Sequence, residues 1–344
     1  MPLGLIDGGL LLLSFFVPFL LLIVGTPPYL RLLTRMGRVS NDVHKTPPTK
    51  VPEPAGPLLF AAAIIGELIV AVGFNSWVPL AISLGTVVAF AVGLWDDFRV
   101  LGGRTKPLLL LLAGFIFVGI ILLKPDLYQP VITFPILGDT APHFIIYTAL
   151  AVIAFPVVAN AFNMMDAFNG EISWFTLLTS LALLFGVTLR YLYASGFALA
   201  RVADALPLVA VAAAFLIFNR YPSKAFDGDS GALTFGALFA GLSVTGGVEI
   251  AAMIAILPAI LNSFYTLSSV RGFVERRKMA SRPTYIGEDG RLYASTEPSS
   301  PSTLARLVLL AGPLTERELV RDLIVLTGVA CLLSVVISVL TWVF

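Results

Sequence analysis

Apolar and polar positions alternate along this chain in blocks rather than with a period of two. Ten apolar stretches are separated by short polar segments, at about 8–32, 56–74, 78–95, 106–124, 142–161, 172–193, 203–218, 231–246, 249–270 and 319–343. A membrane-crossing helix needs about 20 predominantly apolar residues, so the pattern predicts an all-α polytopic integral membrane protein with about ten transmembrane helices. Stretches eight and nine are parted only by Gly246-Gly247. The first stretch lacks a basic n-region and a small-residue cleavage site, which reads as a retained span and not a signal peptide. No internal repeat of the kind found in many secondary transporters is visible. The outer segment 125–141, with Val131-Ile-Thr-Phe-Pro135, reads as a short extended hairpin.

Lysine and arginine set the orientation, because cytoplasmic loops carry the excess. With the N-terminus outside, all of the 22 basic residues except Lys124, Arg190 and Arg201 fall on one side. The layout is therefore N-out and C-out. It forms a single domain over 1–344, with cytoplasmic loops at about 33–55, 96–105, 162–171, 219–230 and 271–318.

Composition agrees with this pattern. The chain is 58% hydrophobic and only 12% charged, whereas a soluble protein carries about a quarter charged residues. A net charge of +1 says little about partners, so charge has to be read loop by loop, and no nucleic-acid partner is expected. The single cysteine, Cys331, permits no internal disulfide. His44 and His143 fall on opposite sides of the membrane in this layout, which argues against zinc. There is no G-x-x-x-x-G-K-[ST] loop and no G-x-S-x-G elbow.

With this topology, three polar clusters share the cytoplasmic face. Asp96-Asp97 end the third span. Two carboxylates at a helix C-terminus oppose the helix dipole, so positive groups should compensate, and Arg99, Arg104 and Lys106 follow. The stretch Asn160-Ala-Phe-Asn163-Met-Met-Asp166-Ala-Phe-Asn169-Gly170 ends the fifth span. Its amides, its carboxylate and Gly170 should loosen the helix there. Asp227-Gly228-Asp229 precedes the eighth span, and its glycine lets backbone approach a ligand. Hard oxygen ligands from three different spans suit Mg²⁺, with Mn²⁺ as the alternative. The basic residues nearby suit a phosphorylated substrate. A transporter would place its polar site near the midplane. Glu67 is the clearest charge there, and it reads more simply as an interhelical hydrogen-bonding group.

In chain order, the motifs resemble the polyprenyl-phosphate N-acetylhexosamine-1-phosphate transferases, on the side of the eukaryotic and archaeal dolichyl-phosphate enzymes. Asn41-Asp42-Val43-His44-Lys45 with Pro52-Glu53-Pro54-Ala55-Gly56 resembles the first cytoplasmic loop of that family. Asp96-Asp97 with Lys106 resembles its paired aspartates and lysine. The Asn160–Gly170 stretch resembles its N-A-x-N…G-x-N-G pattern, and Phe226-Asp227-Gly228-Asp229 its F-x-G-D motif. Gly312-Pro313-Leu314-Thr315-Glu316-Arg317 is similar to a segment before the last span.

The resemblance implies Mg²⁺ on Asn163 and Asp229, and catalytic roles for Asp96, Asp97 and Lys106, with the lysine on phosphate. It implies substrate contacts from Asp42, Lys45, Glu53, Asn160, Asp166, Asn169, Arg276 and Arg282, with Asn169 on the uridine part. The implied partners are a UDP-sugar donor, a polyprenyl or dolichyl phosphate acceptor and the lipid bilayer. The implied activity is transfer of N-acetylglucosamine-1-phosphate from UDP-GlcNAc with release of UMP. Siblings using UDP-MurNAc-pentapeptide or UDP-GalNAc are the alternative. A homodimer is kept open, and a prokaryotic, archaeal-type protein would sit in the plasma membrane. The sequence departs from the family's pattern at Ala167, at Asp166 and in the loop after span nine. That loop has neither a His-rich motif nor a clean R-x-R; Arg276-Arg277-Lys278 and Arg282-Pro283 stand nearest to it.

Overall fold

The computed structural model describes residues 4–45, 47–124, 130–272 and 281–344. Twelve helices dominate it. Eight are long and apolar enough to cross a membrane: α1 (Leu5–Arg35), α2 (Gly56–Gly73), α3 (Val78–Phe98), α4 (Thr105–Leu122), α5 (Phe144–Asn163), α6 (Glu171–Tyr193), α7 (Leu199–Asn219) and α12 (Glu316–Trp342). α9 (Glu249–Ala255) and α10 (Leu257–Ser269) pass the same test only as a pair, bent by 65°. Pro258 at the start of α10 cannot donate to the helix before it, and the ninth span expected at about 249–270 is broken there.

α8 (Gly228–Gly246) is the centre of the bundle. Nearly all of its residues are buried, and it packs on α2, α3, α5 and α7. A helix that meets no lipid needs no strong apolar surface, and α8 instead uses small residues for close approach. A methyl group at Gly93 of α3 would lie 2.6 Å from the Asp229 carbonyl oxygen, and one at Gly236 would lie 2.5 Å from the Ala159 Cα of α5. Gly247, at φ +57°, ends α8.

α4 and α5 approach each other in the same way. A methyl at Gly114 would collide with the carbonyl of Val152. Pro156, four residues further along α5, has no N–H to give that carbonyl.

The non-helical pieces gather at the two ends of the bundle. β3 (Ile132–Phe134) and β4 (Gly138–Thr140) form the hairpin expected within 125–141. At the other end, β1 (Val39–Asp42) pairs with β2 (Thr49–Pro52), and β5 (Thr284–Ile286) pairs with β6 (Leu292–Ala294). The short α11 (Leu304–Leu309) follows. A small second core, including Phe168, Leu292, Leu309, Leu319 and Leu323, fastens this last segment to α12 and to the stretch after α5. Thus three separate loops are held together at one end.

Glu67 of α2 does not behave as the expected interhelical hydrogen-bonding group. It is fully buried, and neither of its oxygens has a hydrogen-bond partner among the described residues.

Candidate active site

Four helix ends meet at the end of the bundle that carries β1–β2. α3 brings Asp96 and Asp97 in its last turn, α4 brings Lys106 in its first, α5 ends on Asn163, and α8 begins at Gly228-Asp229. The Lys106 ammonium lies at the centre. It donates to Asp96 Oδ2 at 2.9 Å, to Asn163 Oδ1 at 3.1 Å and to Asp229 Oδ1 at 2.6 Å. Asn163 Nδ2 also donates to Asp229 Oδ1. Three oxygens from three helices therefore converge on one cation.

Asp97 does something different from Asp96. Its two oxygens accept the backbone N–H groups of Asp229 at 2.7 Å and Ser230 at 3.1 Å. These are first-turn amides of α8, which have no partner within their own helix. Asp97 thus caps α8 from across the bundle. The approach requires Gly228, which sits at φ +71° and where a Cβ would lie 2.7 Å from Asp97 Oδ1.

Asp227, the residue that would ordinarily cap α8, has both carboxylate oxygens buried and without a hydrogen-bond partner among the described residues. Burial pushes its carboxyl well above the usual carboxylate range, and the charges of Asp166, Glu53 and Asp97 push the same way. Its backbone is fixed to the first loop. Phe226 N donates to Pro52 O at 3.0 Å, Ala55 N to Phe226 O at 2.8 Å, and Gly56 N to Asp227 O at 2.9 Å. Glu53, between them, accepts from the Ser40 hydroxyl.

A second layer lies around Asn169. α5 stops at Asn163, and Gly170, at φ +83°, opens α6. Asn169 is therefore on the connecting turn and 2% exposed. Its amide nitrogen donates to Asp42 Oδ2 at 3.1 Å and to Glu316 Oε1 at 2.6 Å, and its oxygen accepts Ser223 N at 2.7 Å. Lys45 pairs with Glu316 and lies 3.4 Å from Asp42 Oδ2, its ammonium 4.0 Å from the centre of the Tyr221 ring. Burial pulls the Lys45 pKa down, but its hydrogen bond to Glu316 and the charges of Glu316 and Asp42 outweigh that and hold it above its ordinary value. His44 stacks on Phe168, centroids 4.5 Å apart.

Ligand atoms of Asp42, His44 and Glu316 all fall within 4.8 Å of one another, the only such group of three among the described residues. Lys45 already supplies positive charge there. The Asp96–Asn163–Asp229 cage is the other oxygen-rich cluster. Its donors are two carboxylates and one amide oxygen, the hard set that Mg²⁺ prefers, and they already converge on a cation, so the residues fit such an ion.

The remaining sequence candidates are placed as follows. Asn160 turns its amide onto the Pro156 carbonyl of its own helix at 2.7 Å. Asp166 is half-buried, and its charge acts on Asp227 and Glu171. Arg282 is exposed, and its backbone carbonyl accepts the Ser300 hydroxyl at 3.1 Å. Arg276 lies outside the described residues. Sequence reasoning missed Glu316 as a site residue, although it falls in the motif Gly312–Arg317. It also gave Ser223 no role.

Fold and site together define a polytopic membrane protein with a phosphate-suited, oxygen-and-lysine centre at one face. Residues 79–247 match the family described as Glycosyl transferase family 4. A provisionally named glycosyltransferase of Methanocaldococcus jannaschii is 30% identical over 280 residues, covering 81% of each chain. Two further relatives are provisionally named UDP-N-acetylglucosamine–dolichyl-phosphate N-acetylglucosaminephosphotransferases. The one from Sulfolobus acidocaldarius is 24% identical over 332 residues, covering 94% of each chain. The one from Saccharolobus solfataricus is 26% identical over 335 residues, covering 96% of this chain and 95% of its own. The chain belongs to glycosyl transferase family 4.

Proposed function

We propose that this protein transfers N-acetylglucosamine-1-phosphate from UDP-GlcNAc to a polyprenyl (dolichyl) phosphate, releasing UMP, at the cytoplasmic face of the membrane. The observation that carries the reading is the convergence of Asp96, Asn163 and Asp229 on the Lys106 ammonium at the ends of four helices. The names of the two relatives matched over nearly their whole length support the donor and the acceptor. The bias of basic residues supports the cytoplasmic face, which in a prokaryotic cell is that of the plasma membrane.

In this reading, an oxygen of the lipid phosphate attacks the β-phosphorus of the donor, and the bond to the UMP oxygen breaks. Such transfers depend mainly on positioning and charge stabilisation. Asn163 and Asp229 would hold Mg²⁺, which when bound supplies Lewis-acid stabilisation of the pyrophosphate. Lys106 leaves the oxygen cage to hold the acceptor phosphate, whose second pKa near 6 leaves it mostly dianionic at neutral pH. No general base is then required. Asp96 orients Lys106, and Asp97 holds the first turn of α8 so that Asp229 faces the cage.

The test is a donor panel. Purified protein is given polyprenyl phosphate and each of UDP-GlcNAc, UDP-GalNAc and UDP-MurNAc-pentapeptide, and UMP release is measured. UMP from UDP-GlcNAc in preference to the others supports the reading; release from another donor alone replaces the sugar, and release from none removes the reading. Asp229→Ala should abolish turnover together with its dependence on added Mg²⁺. An active, metal-dependent Asp229→Ala protein would overturn the metal assignment.

A further inference from the structure

Glu316 is the first residue of α12, is buried, and has no part in the chemistry described above. It is not needed to cap its own helix. Thr315 and Glu318 already form a reciprocal capping box there. A buried carboxylate is costly unless it is paired and hydrogen-bonded, and Glu316 is paired on both oxygens. Oε1 accepts the Asn169 backbone N–H at 2.9 Å and the Asn169 side-chain amide at 2.6 Å. Oε2 accepts from the Lys45 ammonium.

The partners come from distant parts of the chain: Lys45 lies 271 residues away and Asn169 lies 147 away. Asp42 closes the ring by accepting the second amide hydrogen of Asn169 while lying 3.4 Å from Lys45. The carboxylate of Glu316 thus joins the first loop, the turn after α5 and the head of α12.

We propose that Glu316 is a positioning residue for the nucleotide-sugar donor. It acts through Asn169 and Lys45, holding both in one wall beside the Asn163–Asp229 pair. This deepens the function proposed above and rests on it. Asn169 is six positions from Asn163 along a turn that ends in the fixed glycine of α6, so its placement is tied to the reacting centre. The wall is built from loops at the water-facing end of the bundle, the side from which a soluble donor arrives. A lipid acceptor has to enter from the bilayer, past Lys106. The aromatic faces of Phe168 and Tyr221, covered by His44 and Lys45, belong to the same wall.

The experiment compares wild type, Glu316→Gln, Glu316→Ala, Asn169→Ala and the Glu316→Ala/Asn169→Ala double variant in detergent. KM is measured separately for UDP-GlcNAc and for polyprenyl phosphate. A hydrogen bond to a charged group is worth enough that Glu316→Ala should raise donor KM about tenfold, with acceptor KM within about twofold. Glu316→Gln keeps an acceptor oxygen for Asn169 and should lie between. The double variant should cost less than the sum of its parts. Equal rises in both KM values, a donor KM within about twofold of wild type in Glu316→Ala, or strict additivity would each overturn the proposal.

Hydrogen exchange needs no substrate and separates this proposal from the functional reading. In Glu316→Ala, amide exchange should rise together in segments 40–45 and 166–171, and in Glu316→Gln it should rise in both by less. Unchanged protection in both segments overturns the role of Glu316 whatever the donor panel gives. If Glu316→Ala does not fold, the isosteric Glu316→Gln carries both measurements.

Discussion

Asp97 separates two accounts of this centre, a base and a cap. In the structure its carboxylate accepts two α8 amides, at 2.7 and 3.1 Å. Replacing it with alanine leaves two partly buried N–H groups without an acceptor, at up to about 1–3 kcal/mol each. Loss of a negative charge at a helix N-terminus adds about 0.3–1 kcal/mol. Some of this returns if Asp227 swings onto the vacated amides as an ordinary cap. The net cost to α8 is then about 2–4 kcal/mol. Asparagine keeps one acceptor oxygen and should cost about half as much. If the misplacement of Asp229 carries through to the transition state, Asp97→Ala loses about 100-fold or more in kcat and Asp97→Asn about tenfold, at 1.36 kcal/mol per factor of ten. A general base predicts something else: neither variant can take a proton, so both lose the same factor, about 10²–10⁴. The assay is single-turnover UMP release, with thermal unfolding of the detergent-solubilised protein alongside. The capping account requires Asn to exceed Ala in rate and requires Ala to lower the Tm. Equal rates for the two variants, with unchanged or raised Tm, would refute it.

Three other outcomes are expected. Lys106→Ala should raise the KM for polyprenyl phosphate far more than that for the UDP-sugar; equal changes in steady-state kinetics would argue against its place on the acceptor. Gly114→Val should destabilise the bundle by about 1–3 kcal/mol or more through overpacking, because even a methyl there meets the Val152 carbonyl; thermal unfolding in detergent reads this, and a neutral result would mean α4 and α5 are not in close contact. The carboxyl of Asp227 is held above its ordinary value, so the folded state keeps a proton that the unfolded state has lost, and stability falls as pH rises through the folded value. Asp227→Asn should therefore raise the Tm of metal-free protein more at pH 8 than at pH 5, and an identical gain at both would count against a buried acid at this position.

Much of the fold was legible because hydropathy reports lipid contact. That is also why two elements were the least well defined by it. α8 faces protein on all sides and packs through glycine, so its composition says little about crossing a membrane, and the break between α9 and α10 turns on one proline. The candidate site was legible in its parts but not in its layers. Asn163 and Asn169 look equivalent in the run of polar residues, yet the helix stops at the first, which sends one to Asp229 and the other to Glu316. Asn160, in the same run, bonds to its own backbone. Glu316 stands beside a capping box in the sequence, and only the folding of α12 onto the turn after α5 gives it partners. A contact across 147 residues leaves no local pattern to read.

The paired aspartates at the end of α3 pose an electrostatic problem that the fold answers in two ways. A helix C-terminus disfavours carboxylates, and the sequence offers Arg99, Arg104 and Lys106 as compensation. Both arginines are exposed, and Lys106 answers for Asp96 alone, at 2.9 Å. For Asp97 the positive end is another helix, the N-terminus of α8. Burying that carboxylate between the negative end of one helix and the positive end of the next fixes the two helices in register. It also frees Asp229, in the first turn of α8, to face the cation cage instead of capping its own helix. The cost falls on Asp227, whose usual place on the α8 amides is taken. An acid with no hydrogen-bond partner among the described residues, beside the proposed phosphate-transfer centre, is thus a consequence of using α3 to aim α8, and removing Asp97 should be the change that lets Asp227 back onto those amides.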